Sequence, residues 1–125
     1  MNKNDIVNTL IESAEENGLV GTIYPFFNKP IKVRLPFSKK TLDISVDELD
    51  FSVRSSNCLK RAGIMQIRDL VNAVESGSLM TIRNLGKTSF REIQTKLLVL
   101  AYGNFTDAEK TQFFLDLLER NGYAG

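Results

Sequence analysis

Four glycines, Gly63, Gly77, Gly103 and Gly122, each stand just past a run of apolar residues at helical spacing. Glycine enters the left-handed backbone region without steric penalty and is a natural helix terminator, so this punctuation cuts the second half of the chain into short helices. Val53 to Ala62 is the first, stopped by Gly63. Gln66 to Glu75 follows, with Ile67, Leu70, Val71 and Val74 as its apolar stripe and Gly77 closing it. "SLMTI" is a short third. Lys87 to Ala101 is longer, with Phe90, Ile93, Leu97 and Leu100 on one side and Gly103 at its end. The last begins at a capping box, Thr106 with Glu109, buries Phe113, Phe114, Leu117 and Leu118, and ends at Gly122.

Ahead of this run the pattern differs. Asp5 to Asn17 reads as an amphipathic helix on Ile6, Leu10 and Ile11, with Gly18 placed to end it. Leu19 to Pro36 holds all three prolines and the alternating "IKVRL", which predicts an extended segment or a short hairpin confined to an edge. Ser38 to Leu42 is a polar connection, and "SVDELD" is a capping pattern followed by a turn. The expected fold class is therefore mainly α, a compact bundle of short helices with a helix-hairpin-helix-like element, an N-terminal helix, an extended or short β segment and an extra C-terminal helix. The expected division is 1–43, 44–103 and 104–125.

Net charge is +1, but it is unevenly placed. Residues 54–96 carry eight Lys/Arg against three Asp/Glu, whereas 1–53 and 97–125 each come to −2. A basic middle between two mildly acidic flanks is an asymmetry that the whole-chain charge conceals. One cysteine and no histidine exclude an internal disulfide and a zinc site. No metal or cofactor is expected. Acidic residues at the start oppose a signal peptide, and the sequence has no membrane-length apolar run, so a cytoplasmic protein with no membrane contact is expected.

The helix from Val53 is unusually polar near its start. At about 100° per residue, Arg54, Asn57, Cys58 and Arg61 fall on one side, and Ser55, Leu59 and Ala62 on the other, which packs. Small residues around a long cation let a backbone approach while Arg54 extends into something narrow. A minor groove offers enhanced negative potential to arginine and acceptors to asparagine. A solvated face with Arg54 bonded to Asp50 is the alternative.

"IRNLGKTSFREI", Ile82 to Ile93, places a glycine turn ahead of a helix start. Gly86 lets a phosphate approach, the amides of Lys87, Thr88 and Ser89 are the unpaired first donors, Lys87 adds charge and Ser89 a hydroxyl. This is the logic of a helix-hairpin-helix phosphate clamp. An ordinary turn fits the same residues.

Taken together, "DELDFSVRSSNCLKRAGI", "IRDLV" and "RNLGKTSFREI" resemble the C-terminal domain of the bacterial RNA polymerase alpha subunit, over Ile44 to Gly103. The resemblance implies four short helices with an irregular leading turn, binding A·T-rich promoter DNA across the minor groove. It implies Arg54 in the groove, Asn57 beside it and Cys58 near the backbone. It further implies phosphates held at Gly86 and Ser89, with Glu92 supporting that surface. The same face would dock activators, and Glu48 and Asp50 would occupy an acidic patch that meets a sigma factor. Three features depart from the family. Thr88 stands where a second basic residue is usual, which removes one phosphate contact. The segment near Ser76–Gly77 is one residue longer. Residues 1–43 are too few for the assembly domain, so a free-standing or differently fused relative is expected.

Two functions follow from different classes. One is a transcription-associated DNA-binding protein. The other is an adaptor that docks on a sigma factor, an activator or RNA polymerase without needing DNA. An enzyme is not expected: "NLGKTS" lacks the first glycine of a P-loop, and Cys58 has no base to activate it. Tyr24, Phe26 and Phe27 read as apolar cover rather than a stacking platform. The final helix either packs on the first or forms a dimer interface.

Overall fold

The structure is a computed structural model and describes residues 2–27 and 31–123. Six α-helices occur among the described residues: α1 (Lys3–Phe27), α2 (Lys39–Leu42), α3 (Val53–Arg61), α4 (Ile67–Ser76), α5 (Gly86–Gly103) and α6 (Asp107–Arg120). Two 3₁₀ turns, Val46–Leu49 and Ser78–Thr81, complete the order. The fold is all-α, as the glycine punctuation requires. The protein forms two compact units, Met1–Arg34 with Val99–Gly125, and Leu35–Leu98.

In the unit built from the two ends of the sequence, α1 breaks at Gly18, whose φ of 78° and ψ of 160° no helix accommodates. The break is where the sequence places it, but the backbone resumes as helix through Phe27 instead of becoming extended. Leu19, Thr22, Ile23 and Phe27 are buried, a helical period that outweighs the single hydrogen bond lost at the exposed Pro25. Thr22 Oγ1 reaches Gly18 O at 3.0 Å and Ser13 Oγ at 2.8 Å, tying the two arms together. Helices α1 and α6 pack on each other, and Phe113, Phe114, Leu117 and Leu118 are buried there. Of the two alternatives for the final helix, packing on the first is the one found. Phe26, Phe27 and Tyr123 cluster through ring contacts, and Tyr102 meets Phe105, Phe113 and Phe114.

An extended segment begins only at Ile31, and no strand pairing engages it among the described residues. Ile31, Val33 and Leu35 are buried while Lys32 and Arg34 face solvent, the period of two that "IKVRL" predicts. The side chain of Asn121 replaces the missing sheet partner. Asn121 accepts the Lys32 amide on Oδ1 at 2.9 Å and donates from Nδ2 to Lys32 O at 2.9 Å. The same Nδ2 reaches Leu117 O at 2.7 Å. No hairpin occurs among the described residues of Leu19–Pro36, and Pro30 lies outside them.

The unit Leu35–Leu98 is the helix bundle. Leu59, Ile67, Leu70, Leu79, Ile93 and Leu97 are fully buried. Gly63 (φ 77°) and Gly77 (φ 82°) stop α3 and α4 in the left-handed conformation. Asp69 reaches back to the amides of Met65 and Gln66 at 3.3 and 3.2 Å, starting α4. An isolated bridge, Ser45 with Gln66, joins the leading turn to α4. The polar connection at Ser38 is one turn of helix, α2, capped by the Ser38 hydroxyl on the Thr41 amide.

Candidate nucleic-acid interface

Helix α3 is anchored at its start by α5. Ser52 is the N-cap, its Oγ accepting the Ser55 amide at 3.2 Å. Glu92, from the second turn of α5, takes the Ser52 amide on Oε2 at 3.0 Å and the Ser52 hydroxyl on Oε1 at 2.9 Å. The fully buried Ser55 hydroxyl donates to the same Oε1. One turn further along α5, Lys96 donates to the carbonyls of Leu49 and Asp50 and lies 5.4 Å from the Phe51 ring centre. Burial pushes the Glu92 carboxyl up, but hydrogen bonds from Ser55 and Ser52 and the Lys96 charge outweigh it, and the group ends below its ordinary value. An acid and a base four residues apart on α5 therefore fix the angle at which α3 emerges.

The other wall of the site is the turn before α5. Asn84 (φ 66°) and Gly86 (φ 73°) are both left-handed, a conformation asparagine and glycine accept more readily than other residues. The Arg54 guanidinium lies on this turn: its Nη2 is 3.6 Å from the point where a Cβ on Gly86 would sit. Arg54 and Asn57 are exposed, and no carboxylate pairs with Arg54 among the described residues. The Asp50 bond considered from the sequence is not made. Asp50 instead adopts a left-handed conformation (φ 52°) that ends the 3₁₀ turn.

Cys58 departs from the helical-wheel expectation. It is only 1% exposed, buried rather than part of the polar face, because its thiol turns inward to donate to Asn84 O at 3.5 Å. Ala62, assigned to the packed side, is exposed at the end of α3. Ser89 is buried at 4% exposure, while Gly86, Lys87 and Thr88 face solvent. The first amides of α5 have no intrahelical acceptor, and the glycine that opens the helix has no side chain to cap them. Glu48 and Asp50 are exposed on the leading turn, beside an ion pair of Asp47 with Lys60 at 3.8 Å.

Sequence reasoning placed Arg54, Asn57, Gly86 and Glu92 in one neighbourhood. The serine before Val53 reads as a helix cap and Ser55 as a packing residue, and both are found so, but their bonds to Glu92 and the part played by Lys96 were not foreseen. The i, i+4 spacing of Glu92 and Lys96 was a signal available for the last. Among the described residues no three His, Cys, Asp or Glu side chains gather as a metal site, and no helix is long and apolar enough to cross a membrane.

Residues 35–98 thus form a small all-α domain of short helices, in which the exposed Arg54 lies over a left-handed glycine turn. Comparison with known proteins names its family. The family model for the C-terminal domain of the alpha subunit of bacterial RNA polymerase matches residues 36–98, half of the sequence, and the protein belongs to this family. It is 48% identical over 65 residues to the DNA-directed RNA polymerase subunit alpha of Bacillus velezensis (strain DSM 23117 / BGSC 10A6 / LMG 26770 / FZB42). That similarity covers 52% of this protein and 20% of the relative, so the match spans about a fifth of the relative's length. No solved structure matches.

Proposed function

We propose that this protein binds the minor groove of A·T-rich promoter DNA through the face formed by α3 and the Asn84–Gly86 turn. The observation that carries this reading is Arg54: a guanidinium without an acidic partner among the described residues, exposed, and poised over a glycine at the open start of a helix. A narrow A·T groove concentrates negative potential where such a side chain enters. Asn57, one turn along, can donate to the groove acceptors. The α5 amides and Lys87 receive a backbone phosphate at Gly86. Glu92 acts from behind by holding the Ser52 cap, and buried Cys58 acts by fixing the Asn84 turn. Ser89, buried, contributes its place in the first turn of α5. The binding function belongs to the family-matched part of the protein, and the exposed charge there supports weak, salt-sensitive affinity.

A second reading is favoured by the leading turn. Glu48 and Asp50 are exposed without ion pairs among the described residues, and Lys96 holds their backbone through the Leu49 and Asp50 carbonyls. Such a fixed acidic pair suits a basic partner surface, as on a sigma factor or an activator, and is compatible with DNA on the Arg54 face.

Fluorescence anisotropy on A·T-rich and G·C-rich duplexes at low salt tests the first reading. Wild type is expected to favour the A·T-rich duplex, and Arg54→Ala to lose about ten-fold in affinity and most of the preference, the scale of one specific contact. Equal binding by wild type and variant, or none by either, rejects it. Pull-down of a purified sigma factor with wild type and Glu48→Lys tests the second.

A further inference from the structure

Arg61 stands seven residues after Arg54 on α3, which returns it to the same face about 10.5 Å further along the axis. Its Nη2 donates to Cys58 Sγ at 3.7 Å, and that thiol donates in turn to Asn84 O at 3.5 Å. Arg54 meets the same turn two residues on, at Gly86. The Asn84–Gly86 turn thus meets the Arg54 guanidinium directly and the Arg61 guanidinium through Cys58. A thiol sulfur is a weak acceptor, so the contact orients Arg61 without neutralising it. Arg61 is exposed, and no carboxylate pairs with it among the described residues. A cation in the last turn of a helix complements the helix dipole. That accounts for a charge at this position, but not for a guanidinium turned back toward Cys58 and the Asn84 turn.

We propose that Arg61 is a second DNA-contacting residue, which grips a backbone phosphate beside the groove that Arg54 enters; this rests on the minor-groove reading above. Phosphate rather than base is the ligand inferred, because the guanidinium is turned back along α3 toward Cys58 instead of extending from the helix as a groove-entering side chain must. Arg61 supplies positive charge on the face where Thr88 supplies none. The buried Cys58 is then a positioning residue, setting the guanidinium through its sulfur.

The test is anisotropy on an A·T-rich duplex and a G·C-rich duplex over a salt series, with wild type, Arg61→Ala, Arg61→Lys and Arg54→Ala, each checked by thermal melting. Arg61→Ala is expected to bind the A·T-rich duplex about three- to ten-fold more weakly at moderate salt, with the log–log salt slope smaller by about 0.9. Its ratio of A·T-rich to G·C-rich binding stays that of wild type, and Arg61→Lys restores the slope. Arg61→Ala matching wild type in affinity and slope, while Arg54→Ala loses binding, overturns the inference and leaves the minor-groove reading standing. The inference also falls if Arg61→Ala loses the A·T preference as Arg54→Ala does, or if Arg61→Lys fails to recover the slope. Wild type that binds neither duplex overturns both.

Discussion

Glu92 holds Ser52 twice, through its amide at 3.0 Å and its hydroxyl at 2.9 Å, across forty residues of sequence. The start of α3, and with it the direction of Arg54, is therefore set by a carboxylate on α5. Glu92→Gln replaces one acceptor oxygen with a donor facing donors. It is expected to lower stability by about 1.5–3 kcal/mol, the range for hydrogen bonds to a charged group, read by urea denaturation at neutral pH.

The same carboxylate sets an acid sensitivity. Its folded pKa lies below the ordinary value of 4.5, so its stabilisation is complete above that value and is lost as pH falls through the lower, folded one. Wild type is expected to lose stability over that acid window faster than Glu92→Gln does. Parallel curves for the two proteins would remove Glu92 as the cause.

Gly86 is needed for its backbone. A Cβ there would sit at ordinary contact distance from Arg54, 3.6 Å, but φ is 73°. Gly86→Ala is expected to destabilise by about 1–2 kcal/mol through left-handed strain, and Gly86→Asn by less, since asparagine tolerates that region. Thermal melts of the pair check the order. Equal melting of all three would show that the turn relaxes at no cost.

How much of this was legible follows from where the information lies. Helix ends at Gly63 and Gly77 were readable because a left-handed stop is a property of one residue and its neighbours. The helix from Leu19 to Phe27 was not, because Pro25 and two nearby prolines signal an extended backbone locally while the burial of Leu19, Ile23 and Phe27 is decided by packing. Within the site, Arg54, Asn57 and Gly86 were visible through periodicity and turn chemistry. The inward turn of Cys58 depends on the Asn84 carbonyl, which arrives from a segment far away in sequence. A helical wheel carries no record of it.

Asn121 performs a sheet partner's work for Lys32 with its side chain. Asn121→Ala leaves a part-buried amide and carbonyl unpaired, and is expected to cost about 1–3 kcal/mol. Hydrogen exchange at the Lys32 amide should speed up by about ten-fold or more, the factor that 1.4 kcal/mol of lost local protection gives. Unchanged protection would mean that the flanking burial of Ile31 and Val33 is sufficient to hold the segment.

The α3 face and the Asn84–Gly86 turn are proposed to form one DNA-binding surface. Titration of the ¹⁵N-labelled protein with an A·T-rich duplex, followed by amide chemical shifts, tests it most directly. The largest shifts are expected at Arg54, Asn57, Gly86, Lys87 and Arg61, with α6 unaffected. Shifts centred on α1 and α6, or none at any site at saturating duplex, would contradict it.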